Sequence, residues 1–304
     1  MVEFPGKISL REVGPRDGLQ NEDPVPTDAK VALIDRLSGT GVSRIEAVSF
    51  VRPQAIPQMA DAEEVWQRAK HAESVRYSAL VPNLKGAIRA LDAGFTELEA
   101  VVSASQTHNR KNVNRSTEQS LDEIAEIIDL AHNRNATLQV IVSTAWGCPY
   151  EGDVPVQRTI EVVSRALANG ADSASFGDTT GMATPTRVRQ LIQAFRDKHP
   201  ATDLNLHFHN TRGTGLANVL AALELGVADF DASVGGLGGC PYAPGATGNI
   251  ATEELVNMVE DMGIATGIDL EAMIEAAAEA ERIVGRKLPS QVLRAGPRTR
   301  TIKA

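Results

Sequence analysis

The chain has 304 residues, 42% of them hydrophobic, and carries 30 Lys and Arg against 39 Asp and Glu for a formal net charge of −9. That balance predicts a folded globular protein and argues against nucleic acid or an anionic membrane as the main partner, because both would repel an acidic surface. No apolar stretch approaches the length of a membrane span, the first residues carry no signal or transit pattern, and the two cysteines, Cys148 and Cys240, are too few for a disulfide framework; a cytoplasmic chain with reduced thiols is expected.

In chain order, eight short β-branched or apolar runs alternate with stretches of helical period, at residues 8–13, 44–49, 76–81, 97–102, 138–143, 173–176, 205–208 and 229–233. Between them 27–39, 116–134, 156–169 and 186–199 read as helices, several opening on Ser, Thr or Pro and closing at Gly or Asn. The segments GVSRIEA from Gly41, GFTELEA from Gly94, GADSASF from Gly170 and GVADFDA from Gly226 repeat one step, in which a glycine ends a helix and a buried strand follows. Eight strands, each followed by a helix, predict an α/β fold, the closed (β/α)8 TIM barrel. An open doubly wound sheet fits less well, because no G-x-G-x-x-G turn follows the first run. No linker or low-complexity tract divides the chain, so 1–304 is expected to form one catalytic domain, with further helices in 252–285 covering one end.

Active sites of such barrels form at the C-terminal ends of the strands, and polar clusters follow nearly every run. Two histidines, His207 and His209, close the seventh run; side chains at i and i+2 of a strand share a face, so both imidazoles converge. With the carboxylate of Asp17 after the first run they suit a divalent metal, Mg2+, Mn2+ or Zn2+, held by a mixed nitrogen and oxygen shell. Arg16 beside Asp17 is either a salt-bridging strand end or a fixed cation for an oxyanion, and the flanking Gly-Pro and Gly18 favour the second. Glu46 lies inside the second run, where an ionised group needs a partner; Arg16 and a ligand histidine are the candidates. Asp178 in GDTTG is a helix N-cap, a base, or a residue that orients a ligand. The stretch 235–249 holds six glycines and two prolines, a composition suited to a lid, with Cys240 near its middle as a proton donor or a small apolar filler. Cys148 stands in the same G-C-P-Y context, and spacing does not choose between the thiols. After the fourth run come Arg110, Lys111 and Asn114 in a basic cluster, either a solvated helix start or a dock for a phosphorylated ligand such as a nucleotide tail.

The stretches EVGPRDGLQNE from Glu12, IEAVSFVRPQAIPQMAD from Ile45, STAWGCPYEG from Ser143, GDTTG, HFHNTRG and VGGLGGCPYAPGATGNIATEEL from Val234 together resemble the hydroxymethylglutaryl-CoA lyase family of metal-dependent barrel lyases, over about 8–288. The resemblance implies cleavage of 3-hydroxy-3-methylglutaryl-CoA, an acyl-CoA, to acetyl-CoA and acetoacetate in leucine or related catabolism. It further implies Mg2+ or Mn2+ on Asp17, His207, His209 and Asn249, with Arg16 on the departing enolate, Cys240 in proton transfer and Glu46 and Asp178 in support. Barrels of this family commonly dimerise, so a homodimer is expected. Three features depart from the family: Asn210 stands where Asp is usual, Gln106 to His108 are less acidic and aromatic, and the chain ends Arg-Thr-Ile-Lys-Ala. The last gives no expectation of the regulatory disulfide or organellar address of animal members. The first two keep open a sister lyase for another 3-hydroxyacyl-CoA; a Claisen-type condensing enzyme of the same superfamily and a non-catalytic metal- or CoA-binding barrel are the remaining alternatives.

Overall fold

The computed structural model describes residues 3–239 and 247–301. Eight parallel strands close into a barrel: β1 (Ser9–Glu12), β2 (Arg44–Ser49), β3 (Arg76–Leu80), β4 (Glu97–Ser103), β5 (Thr137–Ser143), β8 (Ser173–Gly177), β9 (Leu204–His207) and β10 (Asp229–Ala232). A small antiparallel hairpin, β6 (Gly147–Cys148) with β7 (Gly152–Asp153), sits after β5. The register of Arg11 opposite Asp231 on one side and Arg44 on the other joins the first strand to both the last and the second. The strands fall within a residue or so of the apolar runs, as β-branched residues buried on both faces of a parallel sheet require.

Around the barrel run α1 (Thr27–Ser38), α2 (Ala62–Arg68), α3 (Leu84–Asp92), α4 (Gln106–Val113), α5 (Thr117–Asn133), α6 (Val156–Ala168), α7 (Pro185–Lys198), α8 (Gly215–Leu223), α9 (Thr252–Asp261), α10 (Leu270–Val284) and α11 (Gln291–Ala295). Local chemistry fixes several ends. Ser116 and Gln119 form a reciprocal capping box at the start of α5. Gly41, Gly94, Gly170 and Gly226, the four glycines of the repeated sequence step, all take positive φ. A helix that must turn directly into a strand needs a left-handed residue there, and at Gly41 a side chain would also meet the Gly267 carbonyl at 2.3 Å. Beyond β10, α10 packs on α1, α9 and the 3-10 turn Val234–Gly236.

Most of the buried side chains are aliphatic, with Trp146, Phe176, Phe195 and Phe208 in edge-on and tilted ring contacts outside β5, β8 and β9. The barrel interior is different. Arg11 of β1 bonds Glu99 of β4 and Asp231 of β10, and because β1 and β4 are not neighbours in the sheet, that link crosses the lumen. Among the described residues no helix is long and apolar enough to cross a membrane.

Candidate active site

The chain turns sharply after β1, in a π-helical turn Gly14–Gly18 whose Asp17 and Gly18 amides donate to the Val13 carbonyl at 2.7 and 3.1 Å. Only glycine fits at 14: a Cβ there would lie 2.7 Å from Glu12 Oε1 and 2.9 Å from Val234 Cγ1. The turn therefore tucks beneath the start of the glycine-rich segment and aims Arg16 and Asp17 into the barrel mouth. Arg16, 7% exposed, donates to Asp17 Oδ1 at 2.8 Å and pairs with Glu46 Oε2 of β2 at 2.6 Å. The salt-bridging reading of Arg16 holds, and its two ion pairs keep the cation in place at the strand ends. Of the two partners foreseen for Glu46, the structure selects Arg16. Burial pushes the Glu46 carboxyl well above its usual range, against the pull of Arg16.

His207 ends β9 and His209 follows two residues later, where its backbone bridges Asn249. The period-2 geometry brings the rings to 5.1 Å between centroids and their Nε2 atoms to 3.1 Å. Asp17 Oδ2 lies 4.0 Å from His207 Nε2 and accepts from Asn249 Nδ2 at 2.8 Å. One donor atom each from Asp17, His207 and His209 fall within 4.8 Å of one another, close enough for a single cation. The donors also fit in their chemistry, because His209 Nδ1 and Asn249 Oδ1 are buried with no hydrogen-bond partner among the described residues. Burial and the neighbouring His207 lower His209 to about 3, so its imidazole is neutral. Burial alone would raise Asp17, but Arg16 and the two imidazoles hold it down at about 2. Burial opposes protonation of His207, yet its bond to Asp231 and the charge of Asp17 raise it.

Asp178 follows β8 and caps no helix: Thr184 is the N-cap residue of α7. Its Oδ1 instead accepts from the Met182 and Ala183 amides at 2.8 and 3.0 Å, fixing the turn, while Oδ2 is buried without a partner among the described residues. Burial pushes this carboxyl up to about 7. Asn210, the departure after the histidine pair, turns its Oδ1 to the Gly215 amide at the start of α8. The expected basic cluster is not a helix start: Arg110 and Lys111 occupy the last turn of α4, exposed and without a carboxylate partner among the described residues, and Lys111 Nζ stands 4.9 Å from the Tyr150 ring centre. Asn114 ends α4 at φ 56°, a left-handed residue of the kind asparagine tolerates. Gln106 and His108 lie in its first turn, Gln106 donating to Glu118 and His108 buried. Cys148 is buried and accepts from the Ser105 hydroxyl at 3.0 Å, as a small packed thiol; Cys240 lies outside the described residues.

Sequence reasoning missed three carboxylates of this arrangement. Glu12 binds the Gly14 and Val234 amides at 2.8 Å each through Oε1 and the Thr252 hydroxyl at 2.6 Å through Oε2, tying the Arg16–Asp17 turn to both ends of the glycine-rich segment. Glu253 holds the Gly235 amide at 3.0 Å. Asp231 accepts from His207 Nδ1 at 3.2 Å. The signal was available: Arg11, Glu99 and Asp231 are charged residues within strands, the same anomaly that singled out Glu46.

Comparison with known proteins follows the same lines. A family model described as HMGL-like matches residues 7–279. Hydroxymethylglutaryl-CoA lyase YngG of Bacillus subtilis is 46% identical over 293 residues, 96% of this chain and 98% of its own length. The mitochondrial hydroxymethylglutaryl-CoA lyase of Gallus gallus is 43% identical over 97% of this chain and 99% of its own. A structure of an HMG-CoA lyase from Acinetobacter baumannii, in complex with coenzyme A and 3-methylmalate, superposes with a TM-score of 0.94 at 45% identity and covers all of both chains.

Proposed function

The chain belongs to the HMGL-like family, and from that premise we propose that it is a carbon–carbon lyase that cleaves 3-hydroxy-3-methylglutaryl-CoA to acetyl-CoA and acetoacetate. The observation that carries this reading is the convergence of Asp17, His207 and His209 beside Arg16 at the barrel mouth. A retro-Claisen cleavage takes the proton from the tertiary hydroxyl, breaks the C2–C3 bond and leaves the electron pair as a thioester enolate, which is then protonated at carbon. Asp17, His207, His209 and Asn249 would hold Mg2+ or Mn2+, and a divalent cation so held supplies the Lewis acidity that lowers the pKa of the substrate hydroxyl.

Arg16 stabilises the enolate charge where it develops: it is buried, always protonated, and prevented by Asp17 and Glu46 from swinging away. Asp178 supplies a carboxyl able to hold or release a proton near neutrality. Cys240, within the glycine-rich segment, is assigned to the proton transfer that quenches the enolate. Arg110 and Lys111, with no carboxylate partner among the described residues, offer the cations that the phosphates of coenzyme A need in a chain of net charge −9, with Asn114 completing the end of their helix. We assign the chain as one catalytic domain acting in the cytoplasm as a homodimer. The test is product analysis: 3-hydroxy-3-methylglutaryl-CoA with Mg2+-loaded protein should give acetoacetate and acetyl-CoA in equal amounts. An intact substrate, alongside turnover of another 3-hydroxyacyl-CoA, would assign the chain to a sister reaction instead.

A further inference from the structure

The middle of a (β/α)8 barrel is ordinarily filled by layers of branched aliphatic side chains, and a buried charge there is costly unless it is paired and hydrogen-bonded. In this barrel Arg11, 4% exposed, and Asp231, 3% exposed, occupy that space directly beneath the histidine pair. Arg11 Nε donates to Asp231 Oδ1 at 2.8 Å and Nη2 to Oδ2 at 2.9 Å, a bidentate grip, while Nη1 is spent on Glu99. Asn205 Nδ2 adds a second donor to Oδ1 at 2.9 Å, and His207 Nδ1 lies 3.2 Å from Oδ2.

A carboxylate has about four acceptor directions, and all four are engaged here. Gripped by a guanidinium, Asp231 is ionised and can only accept. The fourth contact therefore requires the proton of a neutral His207 to sit on Nδ1, which leaves Nε2 as a bare lone pair on the side of Asp17 and His209. His209 Nδ1 meets no partner among the described residues, and its Nε2, 3.1 Å from that lone pair, is the nitrogen that donates to it. His207 is thus fixed in ring orientation and tautomer by a carboxylate from below before any cation arrives, whereas His209 takes its tautomer from its neighbour.

We infer that Asp231 is the positioning residue of His207, held in its turn by Arg11, and that this buried relay presets the Nε2 lone pair for a divalent cation. The inference rests on the metal site proposed above and deepens it. Outer partners of this kind commonly govern affinity by ~10–100-fold, because they set the direction and basicity of the ligand.

The closing experiment measures Mn2+ binding to metal-stripped full-length protein by the electron paramagnetic resonance signal of free Mn2+, for the wild type, Asp231→Asn and Lys30→Met. Lys30, paired with Asp61 at 2.6 Å, is another buried charge but lies outside the relay. Asp231→Asn should weaken Mn2+ binding by ~10–100-fold, whereas Lys30→Met should lower the melting temperature and leave the affinity within about twofold. Equal weakening by both variants, or none by Asp231→Asn, would overturn the relay while leaving the metal site standing; a wild type that binds no Mn2+ would overturn both. A second measurement needs no folded Asp231 variant. Long-range 15N–1H correlation of the histidine rings of metal-free wild type at pH 9, with His207 assigned by its loss in His207→Asn, should find the Nδ1-protonated tautomer. An Nε2-protonated ring would contradict the inference.

Discussion

Two groups of buried carboxylates sit at the same end of the barrel and behave oppositely. Asp17 and Asp231 face guanidinium groups, and although burial alone would raise both, Arg16 holds Asp17 at about 2 and Arg11 holds Asp231 far below the usual carboxylate range. Glu12 and Glu253 face only backbone amides and hydroxyls, and burial pushes each up to about 7. Dipoles satisfy a buried carboxyl but do not fully repay its charge; a fixed cation repays it for Asp17 and Asp231, though not for the more deeply buried Glu46, which shares Arg16 with Asp17 and feels the charge of Glu99. The first group lies around the histidines, where a permanent negative charge is needed. The second ties the Arg16–Asp17 turn and the two ends of the glycine-rich segment together, where a group that only accepts hydrogen bonds is enough.

That contrast can be broken most severely at a ligand. His207→Ala should abolish both Mn2+ binding and turnover, as read by titration and by acetoacetate release. Arg16→Gln should leave metal binding largely in place yet lower kcat by roughly a hundred- to a thousandfold; it also strands Glu46 in the interior, so the melting curve should report a loss of about 3–5 kcal/mol. The metal site should carry a pH dependence of definite sign. His207 is raised above its ordinary value, so its proton competes with the cation, and Mn2+ affinity should fall as the pH is lowered, starting above the pH at which an ordinary histidine titrates.

The glutamates predict a quieter effect on stability. A carboxyl whose folded value is about 7 against an ordinary 4.5 stabilises the fold fully below 4.5, and that contribution is lost as pH rises to 7, on the order of 3 kcal/mol per group. Asp17 works in the reverse direction, its contribution present above 3.8 and lost as pH falls through about 2. Stability by denaturant titration should therefore rise from pH 7 to pH 5 and decline in stronger acid. Glu12→Gln should flatten the upper limb while changing stability at pH 7 by less than about 1.5 kcal/mol.

Much of this was legible in the sequence. The eight strands were, because β-branched runs between capped helices leave few alternatives, and Gly41, Gly94, Gly170 and Gly226 marked the turns into them. The histidine pair was legible because strand period alone brings i and i+2 together. What escaped was set by closure of the barrel: Arg11 meets Glu99 and Asp231 across 88 and 220 residues of chain, and no local pattern encodes that. Helix α4 escaped for another reason. QTHNRKNV lacks an apolar stripe, and its ends are set by the Ser105 cap and the left-handed Asn114.

The central claim is that the Asp17, His207 and His209 constellation makes this barrel a metal-dependent lyase. Its most direct test is acetoacetate release from 3-hydroxy-3-methylglutaryl-CoA by metal-stripped protein, with Mg2+ or Mn2+ added back to the wild type and to His207→Ala. The account predicts silence without metal, recovery of the wild type on addition and none for the variant. Release that is independent of added metal, or recovery of the variant equal to that of the wild type, would contradict it.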